Sequence, residues 1–158
     1  MQEHTYNKPG LWQLENGMQV LIQQDRRFPL AIMRMYIRAG SALEQERESG
    51  LTHLLEHMAF RSGQNGCGAA SEIEALGGRV NAATGFDHTA YMLDLPAKAW
   101  KSGLQTLCRL CFGMDWDEND LATEKEVVLA ELERKKDDPG AVLFEQIQSR
   151  IWSGSAYA

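Results

Sequence analysis

The segment Gly50-Leu-Thr-His53-Leu-Leu-Glu56-His57-Met-Ala-Phe60 concentrates side chains able to do chemistry. Read as a helix at about 100° per residue with His53 at zero, His57 falls near 40° and Glu56 near 300°, so the three polar groups share an arc of about 100°. They can converge on one point. Two imidazoles at i and i+4 can each place a ring nitrogen on one Zn²⁺ at about 2.0–2.1 Å, and a Glu next to the second His can reach a water beside that ion. The chemistry this implies is metal-assisted hydrolysis with a carboxylate base. The same wheel puts Leu51, Leu54, Leu55 and Met58 between about 100° and 200°, the stripe expected to meet a core. Three such fixed positions recur by chance in roughly one chain in a hundred of this size, so an amphipathic helix with two surface histidines is the competing reading.

A catalytic zinc takes three protein ligands and keeps a fourth position open, so one ligand must come from elsewhere. In Leu121-Ala-Thr-Glu124-Lys-Glu126-Val-Val-Leu-Ala-Glu131-Leu-Glu133, a helix would align Leu121, Val128 and Leu132 as its apolar face. Glu124 and Glu131 stack at the flank of that face, whereas Glu126 and Glu133 point the other way. A carboxylate beside a core needs a partner, and a metal or a metal-bound histidine is a suitable one. Helix geometry alone does not choose between Glu124 and Glu131 as the ligand.

The elements that must position these groups are legible around them. Gly10 to Leu14 and Gln19 to Gln24 read as strands joined at Glu15-Asn16-Gly17, where Asn-Gly favours a type I′ hairpin turn. Ala31 to Ile37 follows as a third strand, and Gly40 to Glu48 as a loop. Ser49 is the expected N-cap of the helix from about Gly50 to Arg61. Cys67-Gly-Ala-Ala reads as a loop before a short helix, with Ser71 and Glu74 spaced as a capping box and Gly77-Gly78 as its stop. Val80 to Ala83 and Thr89 to Leu95 read as strands. Helices follow at about Ala97 to Phe112, Glu118 to Lys136 and Gly140 to Trp152. Strands first and helices last make an α+β pattern rather than a βαβ winding.

Composition narrows the function classes. The chain has 158 residues, 44% hydrophobic and 24% charged, a globular profile that can bury a core. With 16 Lys+Arg against 22 Asp+Glu the net charge is −6, which argues against nucleic acid as a partner. No stretch approaches the roughly 20 apolar residues of a membrane span, and no secretory signal is visible. Three cysteines are a poor disulfide framework and favour a reduced, cytoplasmic compartment. Cys108-Arg-Leu-Cys111 has redox spacing but sits in an apolar helical pattern, so buried thiols are expected. His88 reads as a structural or surface histidine, the Trp and Met residues as core or interdomain packing, and residues 1–9, with His4, as a mobile segment. The ending Trp152-Ser-Gly-Ser-Ala-Tyr-Ala158 reads as mid-loop, the end of a fragment of something longer.

These motifs, with Arg38-Ala-Gly-Ser41, Glu74-Ala-Leu-Gly-Gly78 and Asn81-Ala82 in the same order, resemble the pitrilysin, insulinase and mitochondrial-processing-peptidase family of inverzincin zinc metallopeptidases, whose zinc helix reads H-x-x-E-H. The likeness runs from Gly10 to the end. It implies that His53 and His57 bind Zn²⁺, that Glu56 is the catalytic base, that Glu131 is the third ligand, and that Glu124 is a supporting carboxylate. It implies a zinc endopeptidase with an α+β, LuxS/MPP-like metallohydrolase domain over residues 10–158, incomplete at its C-terminal end, its mixed and largely antiparallel sheet packed on helices. A peptide substrate would join the edge of that sheet as an added strand, with the Asn81 side chain and the Ala82 backbone holding it and Phe60 lining a pocket. Ala83 stands where such proteins often carry an aromatic, which predicts a roomier pocket. The resemblance also implies a second homologous domain, in the parent chain or a partner subunit. A non-catalytic binding or scaffolding homologue is the alternative, and thiol chemistry at Cys108 and Cys111 a remote third.

Overall fold

The computed structural model describes residues 8–61, 68–113 and 115–158, and the chain divides into two units, 1–30 and 31–158. His4, Cys67 and most of the N-terminal segment lie outside the described residues.

The first unit holds an antiparallel hairpin of β1 (Gly10–Gln13) and β2 (Gln19–Ile22), in the register Gly10↔Ile22 to Gln13↔Gln19. Its turn differs from the expected type I′. The Leu14 N–H bonds the Met18 carbonyl at 2.9 Å, the Gly17 N–H bonds the Leu14 carbonyl, and Gly17 is left-handed, with φ of 86°. The Asn16 carboxamide takes the Met18 N–H instead, so Glu15 to Gly17 form a three-residue loop with glycine at its left-handed position.

The second unit carries a sheet in the order β3 (Leu30–Ile37), β5 (Thr89–Pro96), β4 (Arg79–Thr84), with β4 and β5 antiparallel from Arg79↔Asp94 to Thr84↔Thr89. The helices are α1 (Leu51–Arg61), α2 (Ala69–Ala75), α3 (Trp100–Phe112), α4 (Glu118–Lys136) and α5 (Pro139–Ile151). The α+β architecture and antiparallel pairing are as expected. Alternation along β5 sends Tyr91, Leu93 and Leu95 to the helical side, where they meet Met58, Ile73 and Leu110 in the core. Gly103 lets α3 lie close on β5, since a Cβ there would come within 2.6 Å of a Leu95 methyl. Among the described residues, no helix is long and apolar enough to cross a membrane.

Several local expectations shift. α2 starts at Ala69 on a Gly68 N-cap, which places Ser71 inside the helix, so the Ser71–Glu74 box does not form. Its stop is where expected: the Gly78 N–H reaches the Ile73 carbonyl and the Gly77 N–H reaches Glu74, with Gly77 at φ 78°. α4 begins on a reciprocal Asp117–Asp120 capping box, and α5 on Asp138 followed by Pro139. The four Trp residues are 38–52% exposed, which removes them from the core of the described chain, and α5 buries none of its residues. His88 is exposed and packs edge-on against Tyr36.

Candidate metal centre

The position of α1 is set from outside the helix. The Glu44 carboxylate accepts the Gly50 N–H at 2.8 Å and the Thr52 N–H at 2.6 Å, occupying donors that the first turn leaves open. This distant carboxylate, rather than Ser49, caps the helix. Burial acts to raise the Glu44 pKa, but hydrogen bonds from Thr52 and Gly50 and the nearby His53 together hold it below the ordinary value of a glutamate. Gly40 brings the preceding loop against the β4–β5 connection, because a Cβ there would collide with the Phe86 carbonyl. Ser41 and Ala42 N–H groups then bond the Gly85 and Phe86 carbonyls at 3.1 and 2.9 Å.

Along α1, Met58 and Ala59 are fully buried while Leu51 and Leu55 are 47% and 36% exposed. Of the expected apolar stripe only Met58 is therefore fully buried, and Leu51 and Leu55 are left exposed. His53, Glu56 and His57 are half-buried. The two imidazoles stand edge to face, 4.8 Å between centroids.

α4 lies alongside α1 and runs in the opposite sense, which the pairing order makes plain. His53 and His57 face Glu131, with both Nε2 atoms directed at the same carboxylate oxygen, 3.9 and 3.5 Å away. One turn further along α1, His57 Nδ1 meets Glu124 Oε2 at 3.1 Å, and Arg61 Nε donates to Glu124 Oε1 at 2.5 Å. Glu124 is buried at 7% exposure, whereas Glu131 is half-buried and has Lys135 at 3.5 Å from its other oxygen. On the apolar side of α4, Val128 is buried but Leu132 is 41% exposed, so the expected apolar face is covered only in part.

One ligand atom from each of His53, His57 and Glu131 lies within 4.8 Å of the others, and this is the group that emerges as able to hold a metal among the described residues. Around a tetrahedral ion with bonds of about 2.0–2.1 Å, ligand atoms sit about 3.4 Å apart, so the observed separations need only small side-chain adjustments. Two imidazole nitrogens and one carboxylate oxygen form a known donor set for catalytic zinc and leave one position open. A His57 Nδ1–H donated to Glu124 leaves the Nε2 lone pair free on the metal side. The residues present therefore fit Zn²⁺.

Glu56 takes a different partner. The Thr84 hydroxyl, at the end of β4, donates to its carboxylate at 2.5 Å. The buried Tyr91 phenol is close to the same group; burial above all, with Cys111 and Glu56 nearby, pushes it up to about 12. Spacing within α1 could not reveal Thr84, which is 28 residues away from Glu56. Arg61 did carry a signal, being four residues beyond His57 on the same helix face.

The expected substrate-side residues lie on or beside β4. Strand alternation puts Ala82 with Thr84 on the helical side of the sheet, and Asn81 and Ala83 on the exposed side. Gly85 and His88 form a hydrogen-bonded pair, so by the antiparallel alternation the main-chain groups of Val80, Ala82 and Thr84 point away from β5, towards the open edge. Phe60 is half-buried near the end of α1.

Of the two CxxC thiols, Cys111 is buried and pushed up to about 12 by burial and by Cys108, but Cys108 is exposed, so only one of the pair is buried as expected.

Residues 19–158 match the profile of the family described as Insulinase (Peptidase family M16). Subunit 1 of the mitochondrial cytochrome b-c1 complex of Bos taurus is 28% identical over 92% of this chain and 31% of its own length. A protein of Rickettsia felis named an uncharacterized zinc protease is also 28% identical, over 88% of this chain and 34% of its own. The crystal structure of a protease from Helicobacter pylori superposes with a TM-score of 0.88 at 23% identity, covering 97% of this chain and 38% of that one, which is a likeness of fold. The chain thus spans about a third of the length of these relatives.

Proposed function

The chain belongs to the insulinase family, Peptidase family M16, and from that premise we propose that it carries the zinc site and proton-transfer group of an endopeptidase. The observation that carries this reading is the convergence of His53, His57 and Glu131 on one point, with Glu56 on the same helix. His53, His57 and Glu131 would hold Zn²⁺, and Glu124 would fix the His57 ring. When bound, the ion supplies a Lewis acid that polarises the scissile carbonyl and makes water a better nucleophile.

The chain's own groups do the rest. Glu56 takes a proton from the attacking water and returns it to the leaving nitrogen, so hydrolysis closes without a covalent enzyme intermediate. The Thr84 hydroxyl holds that carboxylate in place. The peptide aligns on the open edge of β4, using main-chain groups of Ala82 and its neighbours, with Asn81 and Phe60 contacting it and Ala83 leaving space for a side chain. A second homologous domain, in the parent chain or a partner subunit, would close over the substrate.

The test is hydrolysis of a quenched fluorescent peptide by the full-length protein, with and without a chelator, for the parent and Glu56→Gln. General-base catalysis is worth about 10²–10⁴-fold, so Glu56→Gln should keep zinc and lose at least about a hundredfold in kcat. A variant that hydrolyses at the parent rate removes Glu56 from this role. The bovine cytochrome b-c1 relative favours a second reading, a non-catalytic binding or scaffolding homologue. That reading predicts a folded protein without chelator-sensitive hydrolysis.

A further inference from the structure

The contacts between α1 and α4 form a ladder of four rungs, and only its first part is accounted for by metal ligation. His53, His57 and Arg61 recur every four residues along α1, while Glu131 and Glu124 lie seven apart on α4. The rungs run His53–Glu131, His57–Glu131, His57–Glu124 and Arg61–Glu124, at 3.9, 3.5, 3.1 and 2.5 Å. The last is an ion pair outside the candidate metal-binding group. From this geometry we propose that Arg61 is a positioning residue for the metal centre: it clamps one oxygen of Glu124 so that the other is presented to His57 Nδ1. The inference rests on the zinc-site reading above.

The physical case is one of constraint. Glu124 is 7% exposed, and a buried carboxylate needs its oxygens satisfied. One oxygen has the Arg61 Nε–H and the other has His57 Nδ1. A carboxylate held by one partner can still turn about its terminal bond. Held at both oxygens by groups on one rigid helix, it cannot turn, and the His57 ring is fixed with it. The guanidinium Nε–H is directional, which an ammonium is not, so lysine should substitute only in part. Arg61 itself is 40% exposed at its side chain, which makes it dispensable for the core.

Partners of metal-bound histidines typically change metal affinity 10- to 100-fold when removed, and Arg61 acts one step behind such a partner. In the full-length protein, Arg61→Met should weaken zinc about 10-fold in competition with a chromophoric chelator, and Arg61→Lys should recover part of that loss. Combining Arg61→Met with Glu124→Gln should weaken zinc no further than Glu124→Gln alone, because Arg61 acts through Glu124. Parent-like affinity in Arg61→Met overturns the proposal, as does a double variant whose losses simply add. If instead the parent protein binds no zinc, or His57→Ala binds it as tightly as the parent, the zinc-site reading itself has failed. Arg61→Lys, which keeps charge and length, supplies the comparison if the methionine variant does not fold.

Discussion

Replacing Thr84 by Val tests whether the β4 terminus governs the catalytic base. The two side chains have nearly the same shape and both suit a strand, so the change removes an O–H donor with little cavity. The lost contact is a 2.5 Å hydrogen bond to the Glu56 carboxylate in a half-buried site. Hydrogen bonds to charged groups contribute about 1.5–3 kcal/mol, and each 1.36 kcal/mol on a barrier is a factor of about ten. If the contact acts by holding the carboxylate on line with water, kcat should fall between about 10- and 100-fold. KM should stay within about twofold, because Thr84 Oγ1 is engaged with Glu56 and substrate binding along β4 uses main-chain groups. The assay is steady-state hydrolysis of a fluorogenic peptide by the full-length protein, with zinc content measured on the same samples. Thr84→Ser keeps the donor and should retain most of kcat. Full kcat in Thr84→Val, or equal losses in the Ser and Val variants, would refute the reasoning.

Glu44→Ala removes the carboxylate that caps α1 and should cost about 1–2 kcal/mol of stability, read as a lower midpoint in denaturant. Because the folded Glu44 pKa lies below the ordinary glutamate value, its contribution is complete above the ordinary carboxylate range and fades as pH falls through the lower, folded value. The gap between parent and variant should therefore be constant near neutrality and shrink in acid; a gap that widens in acid contradicts the assignment. Iodoacetamide at pH 8 should label Cys108 in the folded protein while Cys111, buried and raised to about 12, stays unlabelled until denaturant is added, as peptide mass mapping will show. Rapid labelling of Cys111 in the folded state would show that α3 opens where the structure has it packed.

The sequence carries α4 from Glu118 to Lys136 because its signals are local: an aspartate cap, a helical pattern and a basic last turn all lie within the element. β4 and β5 are legible for a similar reason, alternating residues between glycine and proline stops. The expected α2 start failed because Ser71 and Glu74 satisfy a spacing rule that Gly68 and Ala69 pre-empt by starting the helix earlier. The α1 cap was hidden because its acceptor, Glu44, comes from a loop, and loop-to-helix contacts leave no periodic trace. Exposure of Leu51 and Leu55 depends on which parts of α1 its neighbours cover, which a helical wheel cannot fix. At the site, the imidazoles and Glu56 announced themselves through spacing within one helix. Thr84 became visible only when the fold brought β4 to α1. Arg61 lay in plain view at i+4 from His57, but its meaning depended on knowing that Glu124 stands opposite.

The central claim is that His53, His57 and Glu131 share one divalent ion. Zinc-edge X-ray absorption on the zinc-loaded full-length protein, with zinc stoichiometry on His53→Ala and Glu131→Gln, measures this directly. The account predicts about one zinc per chain, a nitrogen and oxygen shell at about 2.0–2.1 Å with two imidazoles, and zinc retention sharply reduced in both variants. A sulfur shell at about 2.3 Å, or zinc held by both variants as tightly as by the parent, would contradict it.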